Sequence, residues 1–545
     1  MSLDEVSATD ESDYIIVGAG SAGCTLANRL SADGRARVLL LEAGGWDRHP
    51  FIKLPLGWGK VLLNRIYDWG YDTEPEPTMN NRRIEVARGK VIGGSSSINA
   101  MAYVRGNRAD YDRWAARGLP AWSYEQVLPY FRKQESWEGG ASQFRGGAGP
   151  LATRKSRYQD PLVDAYLAGA RELGHTLNDD YNGPQQDGFG RMQLTVRRGH
   201  RESAATAYLH PVTSRANLTV RVNALVSRVV IEGGRAVGVD YVESAQRRFV
   251  AARREVIVSG GAINSPQLLM LSGVGDPAAL SPHGIAVKAA LPGVGKNLQD
   301  HVAALLIYGR RDESPFLRNM RADRLLMGLA RGFLAGAGFA TELPGGITGF
   351  VKSSADEPIP DIQLLFIAGS LAGAPWLPPF KQAFADSFAC RIVLLRPQSR
   401  GTITLASADP AAHPRIRQNL LGVADDWRKL SAGIRIFREL ARLPKLSPYV
   451  AREIGPGEGV TTDSELEGYV RNTAVTAHHP CGTCRMGVAS DADAVVDAEL
   501  RVHGVDALRV VDASVFPDLV GGNINAPVIM IAEKAAEMIS RAHSN

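Results

Sequence analysis

Residues 14–17 are apolar at every position and run into Gly18-Ala19-Gly20-Ser21-Ala22-Gly23, followed by a helical stretch to Leu30. A second apolar run, residues 38–41, ends on Glu42. Fully apolar strands flanking a helix predict a βαβ unit whose parallel strands are covered on both faces. Residues 256–258, followed by Gly260-Gly261, and residues 508–511, followed by Asp512, have the same texture and read as strands of the same sheet. The nucleotide-type domain then draws on the beginning, middle and end of the chain. Residues 218–230 and 236–242 alternate apolar and polar around Gly233-Gly234 and predict a hairpin. Leu430, Ile434 and Phe437 mark an amphipathic helix. Residues 305–475 mix alternating stretches with Pro-rich loops such as 375–379 and predict a second, α+β domain. Residues 316–340 are apolar, Gly-rich and dotted with Arg. They read as a loop or helix pair lining a substrate pocket, with contact to a membrane surface as the alternative.

Composition narrows the class. At 545 residues, with 45% hydrophobic and 22% charged positions, the chain can bury an extended core, which excludes disorder, collagen and small disulfide-stapled folds. The length suggests roughly two to four domains or layers. Sixty-two basic against 57 acidic residues leave a net charge of +5, scattered without a dense basic block, so no nucleic-acid footprint is expected. Four cysteines, Cys24, Cys390, Cys481 and Cys484, fit a reducing compartment. The start, MSLDEVSATDESD, lacks the order of a signal peptide, and no apolar run reaches the length of a membrane span. A soluble, cytoplasmic protein is expected.

The spacing Gly18, Gly20, Gly23 between strand and helix is a G-x-G-x-x-G turn. Its glycines permit the sharp turn, close approach to a pyrophosphate and close helix–strand packing. The helix start offers free N–H groups to phosphate. Glu42, 19 residues after Gly23, is placed to hold ribose hydroxyls and disfavours a 2′-phosphate. The motif predicts a dinucleotide but does not separate FAD from NAD.

Longer stretches do. Gly89-Lys90-Val91-Ile92-Gly93-Gly94-Ser95-Ser96-Ser97-Ile98-Asn99 resembles the first signature of the glucose–methanol–choline (GMC) oxidoreductases. Residues 261–275 resemble the second, and residues 293–301 (GVGKNLQDH) are similar to another family stretch. Residues 479–487 (HPCGTCRMG), 511–514 (VDAS) and 522–527 (GNINAP) complete the set, so the resemblance spans roughly residues 13 to 540. It points to the choline-dehydrogenase-like and alcohol-dehydrogenase-like bacterial branch.

The resemblance implies an α/β flavoprotein. A discontinuous Rossmann-like FAD-binding domain (residues 10–155, 200–305 and 480–545) would be joined to an α+β substrate-binding domain built on an antiparallel sheet (156–199 and 306–479). It implies oxidation of a primary alcohol to an aldehyde, by proton abstraction and hydride transfer to flavin N5, with oxygen or another acceptor taking the electrons. Gly18, Gly20, Ser21, Ala22, Gly23, Glu42 and Ala43 would hold pyrophosphate and ribose, with Val226 and Trp69 near adenine. Arg88, Gly89, Val91, Gly93, Gly94, Ser95, Asn99, Ala100, Met101 and Ala102 would line pyrophosphate and flavin. Asp512 and Ala513 would meet the ribityl chain. Some relatives carry a flavin-linking histidine where this chain has Ile98, which implies non-covalent FAD.

His479 matches the family's catalytic histidine, and Asn523, 44 residues on, falls where relatives carry His or Asn. An imidazole can accept the hydroxyl proton near neutrality, and a carboxamide can bind the same oxygen without accepting it. His478 reads as supporting, since adjacent side chains on a regular element do not face one ligand. Pro527 is predicted to begin a helix that follows Asn525 and presents its positive end to the flavin. Cys481-x-x-Cys484 reads as packing, with dithiol redox or metal binding as alternatives, and no metal is expected. Alternatives for the whole chain are a lyase or photochemical enzyme on the same fold, an NAD dehydrogenase and a binding-only flavoprotein. Residues 316–340 and Trp376 point to an aliphatic or aromatic alcohol.

Overall fold

The structure, a computed structural model, describes residues 11–543. Most of the acidic N-terminal start, residues 1–10, lies outside the described residues. Strand β1 (Glu11–Val17) leads through Gly18 into helix α1 (Ser21–Leu30) and strand β2 (Val38–Glu42). Residues 14–17 and the whole of β2 are buried, as a central parallel strand covered on both faces requires. Burying each Ile, Leu or Val there contributes about 1.5–3 kcal/mol.

The sheet continues with β3 (Leu218–Val222), β4 (Ala224–Glu232), β5 (Arg235–Glu243) and β6 (Gln246–Val258), followed by α2 (Gly261–Leu271). The strand order is β3-β2-β1-β6-β5-β4, with Leu508–Val510 pairing in parallel against β6. Segments distant in sequence thus meet in one sheet, as the apolar runs predicted. One expectation is corrected: residues 218–230 are not a single hairpin arm. Asn223 has φ +55° and breaks the run. β3 before it pairs in parallel with β2, and β4 after it pairs antiparallel with β5.

A second sheet is antiparallel: β7 (Val302–Arg310), β8 (Ile347–Val351), β9 (Ile362–Ile367), β10 (Ser387–Leu394) and β11 (Val450–Gly455), in the order β11-β7-β10-β9-β8, extended by Gly188–Arg191. Side chains alternate between its faces. Phe366, Cys390 and Ile392 join a core with Leu430, Ile434 and Phe437 of α3 (Ala424–Arg442). Val393 packs on the opposite side with Ala303, Phe350 and Ala477. That second face looks toward the candidate site.

Helix α4 (Asn525–Ala542) packs against α1. It starts at Asn525, two residues before the expected Pro527. Its first-turn N–H groups need no intrahelical partner, so proline is accommodated at the third position as well as the first. Residues 316–340 do form a helix pair, Pro315–Asn319 and Ala322–Ala335. Neither they nor Trp376 line the main cavity, contrary to expectation. Leu326, Met327 and Leu334 point to solvent instead, and the Trp376 indole donates to the Leu317 carbonyl at 3.0 Å. Among the described residues no helix is long and apolar enough to cross a membrane.

Candidate active site

The turn after β1 is built by its glycines. Gly18 has φ +98°, and a Cβ on it would lie 2.5 Å from the Ser259 carbonyl oxygen. A Cβ on Gly23 would lie 1.9 Å from the Gly18 carbonyl oxygen. A Cβ on Gly20, by contrast, would meet nothing within 4 Å, because Gly20 opens onto a cavity. No side chain caps the N-terminus of α1, which leaves its first N–H groups to whatever fills that cavity. Glu42 spans the two strand ends, its carboxylate accepting the Ala19 and Gly44 N–H groups at 2.8 Å each. Burial pushes its pKa up to about 7, against the pull of those two bonds.

The second Gly-rich loop closes on the first. Gly93 N–H donates to the Ala19 carbonyl at 2.7 Å, and a Cβ on Gly94 would lie 2.7 Å from the Gly20 Cα. At the far end, Ser21 Oγ donates to Asn525 Oδ1 at 2.7 Å, joining the starts of α1 and α4. Asp512 accepts from Gly261 N–H (2.8 Å), Ser265 Oγ (2.5 Å) and Ser514 N–H (2.7 Å), which fixes the turn after Leu508–Val510. Trp69 stacks on Tyr71, centroids 5.7 Å apart.

One cavity runs between these turns and the antiparallel sheet. Of the sequence-derived candidates, Gly18, Gly20, Ser21, Ala22, Glu42, Ala43, Trp69, Arg88, Gly89, Gly94, Ser95, Asn99, Ala100, Met101, Ala102, Val226, Asp512, Ala513 and Asn525 line it. Gly23, Val91, Gly93 and Pro527 do not; they pack behind the lining. His479 and Asn523 line it as well, with His479 Nε2 3.0 Å from Asn523 Nδ2.

The hydrogen bonds fix the tautomer of His479. His301 Nε2 lies 3.1 Å from two carbonyl oxygens, those of Leu395 and Val520. Carbonyls only accept, so this nitrogen carries the proton and His301 Nδ1 is an acceptor. His479 Nδ1, 2.9 Å from it, must then be the donor. The lone pair of His479 therefore sits on Nε2, where the Asn523 amide donates. Asn523 Oδ1 is in turn 3.4 Å from Gln363 Nε2 on β9. The backbone N–H of His479 donates to Asp300 Oδ1 at 2.8 Å, and Gln418 holds the other oxygen at 3.0 Å. Burial holds the His479 pKa well below the ordinary 6.5, helped by the neighbouring His301 and Arg88. Burial likewise lowers His301 to about 4 and raises Asp300 to about 6. The imidazole facing the cavity is thus neutral near pH 7.

His478 departs from the reading that adjacent side chains diverge. Its φ is +63°, and the irregular backbone lets both rings line the cavity. Its Nδ1 is buried without a partner. Asp300, His301 and Gln363 were not singled out from sequence. Asp300 and His301 end the stretch similar to the family, but nothing local shows that they meet a residue about 180 positions away. Cys481 and Cys484 are buried free thiols, and no group of three or more metal-ligating side chains occurs among the described residues.

Residues 12–303 match the N-terminal part of the GMC oxidoreductase family, and residues 397–532 match its C-terminal part. The chain is a GMC oxidoreductase. It is 44% identical to mitochondrial choline dehydrogenase of Mus musculus, over 97% of this chain and 89% of that protein. It is 43% identical to the oxygen-dependent choline dehydrogenase of Sinorhizobium fredii, over 97% and 95%. Among solved structures, pyridoxine 4-oxidase from Mesorbium loti superimposes with a TM-score of 0.86 at 30% identity, covering 98% of this chain and 99% of that one. Formate oxidase of Aspergillus oryzae gives 0.90 at 28%, covering 99% and 100%. This GMC oxidoreductase is an FAD-dependent alcohol oxidoreductase. The residues present fit FAD: an uncapped helix start and an open Gly20 suit the pyrophosphate, and the cavity continues unbroken to the imidazole–amide pair. The relatives are named as dehydrogenases and oxidases, and nothing supports the lyase or photochemical alternative.

Proposed function

We propose that the enzyme oxidises a primary alcohol to its aldehyde, with His479 as the base and Asn523 holding the substrate oxygen. The observation that carries this reading is the 3.0 Å approach of His479 Nε2 and Asn523 Nδ2 in the dinucleotide cavity. An alcohol entering there donates its O–H to the Nε2 lone pair, while its oxygen accepts from the Asn523 amide. His301 holds the ring in the required tautomer, and Asp300 anchors the backbone beneath it. The Gln363 contact keeps the Asn523 carbonyl oxygen turned away from the substrate. Bound FAD supplies the hydride acceptor. Proton removal and stabilisation of the developing alkoxide each lower the barrier, the latter by about 3–4 kcal/mol.

The cavity-lining residues named above are the ones we assign to FAD. The two sheets support a division into an FAD domain (10–155, 200–305, 480–545) and a substrate domain (156–199, 306–479), although β7 already begins at Val302. Ile98, buried at 6% exposure, offers no nucleophile to the flavin, so the FAD is non-covalent. Trichloroacetic acid is expected to release all the yellow colour into the supernatant. Colour remaining on the pellet would contradict this. Four buried free thiols support a reducing compartment such as the cytoplasm.

The lowered His479 pKa sets a pH dependence. The base must be neutral, so the rate of flavin reduction is expected to be flat through neutral pH. It falls only on the acid side, below the ordinary histidine range near 6.5. Stopped-flow reduction measured across pH checks this. An inflection above neutrality would assign the base elsewhere.

A further inference from the structure

Arg391 is the anomaly of the substrate-facing sheet. It is the one charged residue of β10, sharing its face with Ser387, Ala389 and Val393, and is flanked on both sides by paired strands, opposite Leu305 of β7 and Leu365 of β9. Alternation puts it on the face of Val393, away from α3. It lines the same cavity as His478 and His479. Its Nε is fully buried with no acceptor, and among the described residues neither of its Nη nitrogens has a hydrogen bond or a carboxylate partner. Other interior arginines have partners: Arg105 and Arg145 pair with Glu135, Arg310 with Asp160 and Arg509 with Glu255, while Arg201 donates to the Ile52 and Asn99 carbonyls. Arg391 is half-buried and exposed toward the cavity, so a ligand that displaces water there leaves the guanidinium without an anion at a cost of several kcal/mol unless the ligand itself supplies one.

The pyrophosphate cradle at Gly18–Gly23 follows a strand of the parallel sheet, whereas Arg391 stands on the antiparallel sheet with its charge felt at His478 and His479, so its partner is sought on the histidine side of the cavity. The neighbouring wall is apolar, with Met101, Met192, Leu343, Leu365 and Ile367. Arg391 and Val393 are two residues apart, about 7 Å along the strand. Val393 pairs with Gln363, the residue that contacts Asn523. A ligand reaching from the imidazole–amide pair to the guanidinium therefore spans a short apolar spacer.

We infer that Arg391 is the carboxylate-binding subsite of this enzyme, and that its substrate is a primary alcohol carrying a carboxylate a few bonds from the hydroxymethyl carbon. A planar guanidinium suits a two-oxygen anion because it presents parallel N–H donors. The same charge disfavours a quaternary ammonium. The lining carboxylates, Glu42 and Asp512, are both already engaged by backbone N–H groups and cannot cage a cation. The substrate class rests on the oxidation proposed above; the carboxylate subsite can be tested without turnover.

The test uses the FAD-containing enzyme and two matched probes, 4-(hydroxymethyl)benzoate and its methyl ester, with benzoate as a non-reacting ligand. Wild type should favour the carboxylate in kcat/KM, and benzoate should perturb the flavin spectrum saturably. R391M should lose about 100-fold or more on the carboxylate, chiefly through KM, with the ester little changed and the benzoate response gone. R391K should recover part of both if the charge is what matters. Flavin content and thermal melting establish that both variants fold. Equal use of acid and ester by wild type, or equal losses on both in R391M, would overturn the subsite. So would an R391M variant whose only change is the flavin midpoint potential, since the arginine would then serve the ring. Should benzoate bind in an Arg391-dependent way while no alcohol, charged or neutral, reduces the flavin, the subsite stands and the oxidation reading fails.

Discussion

His479→Ala is expected to slow alcohol-driven flavin reduction by about 10²–10⁴-fold while FAD remains bound. The variant keeps the glycine turns, Glu42 and Asp512, none of which touches the imidazole. It also keeps Asn523 to bind the substrate oxygen. What is lost is the imidazole nitrogen placed against the Asn523 amide; the neighbouring His478 lines the cavity but makes no hydrogen bond to that amide among the described residues. The loss should appear in the reduction rate more than in substrate binding, because the proton is transferred as the barrier is crossed. His479→Asn should be nearly as slow, since an amide fills the space and donates but does not accept a proton. Rapid-mixing absorbance of both variants, at equal flavin content, gives the answer. Wild-type reduction rates in either would remove the imidazole from the chemistry.

The second large effect is structural. Gly23→Ala should yield a protein without FAD and destabilised by about 3 kcal/mol or more. The added Cβ would sit 1.9 Å from the Gly18 carbonyl oxygen, far inside contact distance. Relief by moving Gly18 is blocked, because its N–H is bonded to the Leu41 carbonyl at 2.8 Å and its φ is +98°. Gly20→Ala makes the informative contrast. Its Cβ clashes with no protein atom but enters the cavity beside the α1 N-terminus. That variant should melt like the wild-type apoprotein and still bind FAD weakly. Flavin-to-protein absorbance ratios and thermal unfolding of the two variants separate packing from ligand contact. A yellow Gly23→Ala protein with wild-type melting would contradict the role assigned to the turn.

What could be read in the sequence follows from where the signal is local. Parallel strands buried on both faces leave continuous apolar runs, and a Gly-x-Gly turn leaves its spacing, so β1, α1 and β2 were visible. The His479–Asn523 pair was visible through resemblance, since both residues fall in stretches similar to the family. Pairings across the chain were hidden. His301 meets His479 from the other side of the second domain segment, and no pattern near either announces it. Asn223 looked like any polar residue in an alternating run, yet its left-handed backbone divides that run between two partners. His478 misled for the same reason: its positive φ cancels the rule that neighbouring side chains diverge. In residues 316–340 a helix pair did form from the apolar, Gly-rich stretch, but that texture does not tell which face a helix turns inward. Arg391 did leave a trace, a lone charge inside the apolar strand SFACRIVL, whose meaning required the cavity.

In the proposed mechanism the cavity brings a primary alcohol to His479 and Asn523 beside the reactive edge of a flavin. Anaerobic titration of the yellow enzyme with primary alcohols, followed at about 450 nm, tests it most directly. Bleaching in proportion to the aldehyde formed is the expected result. A flavin that keeps its colour with every primary alcohol, charged or neutral, would contradict it.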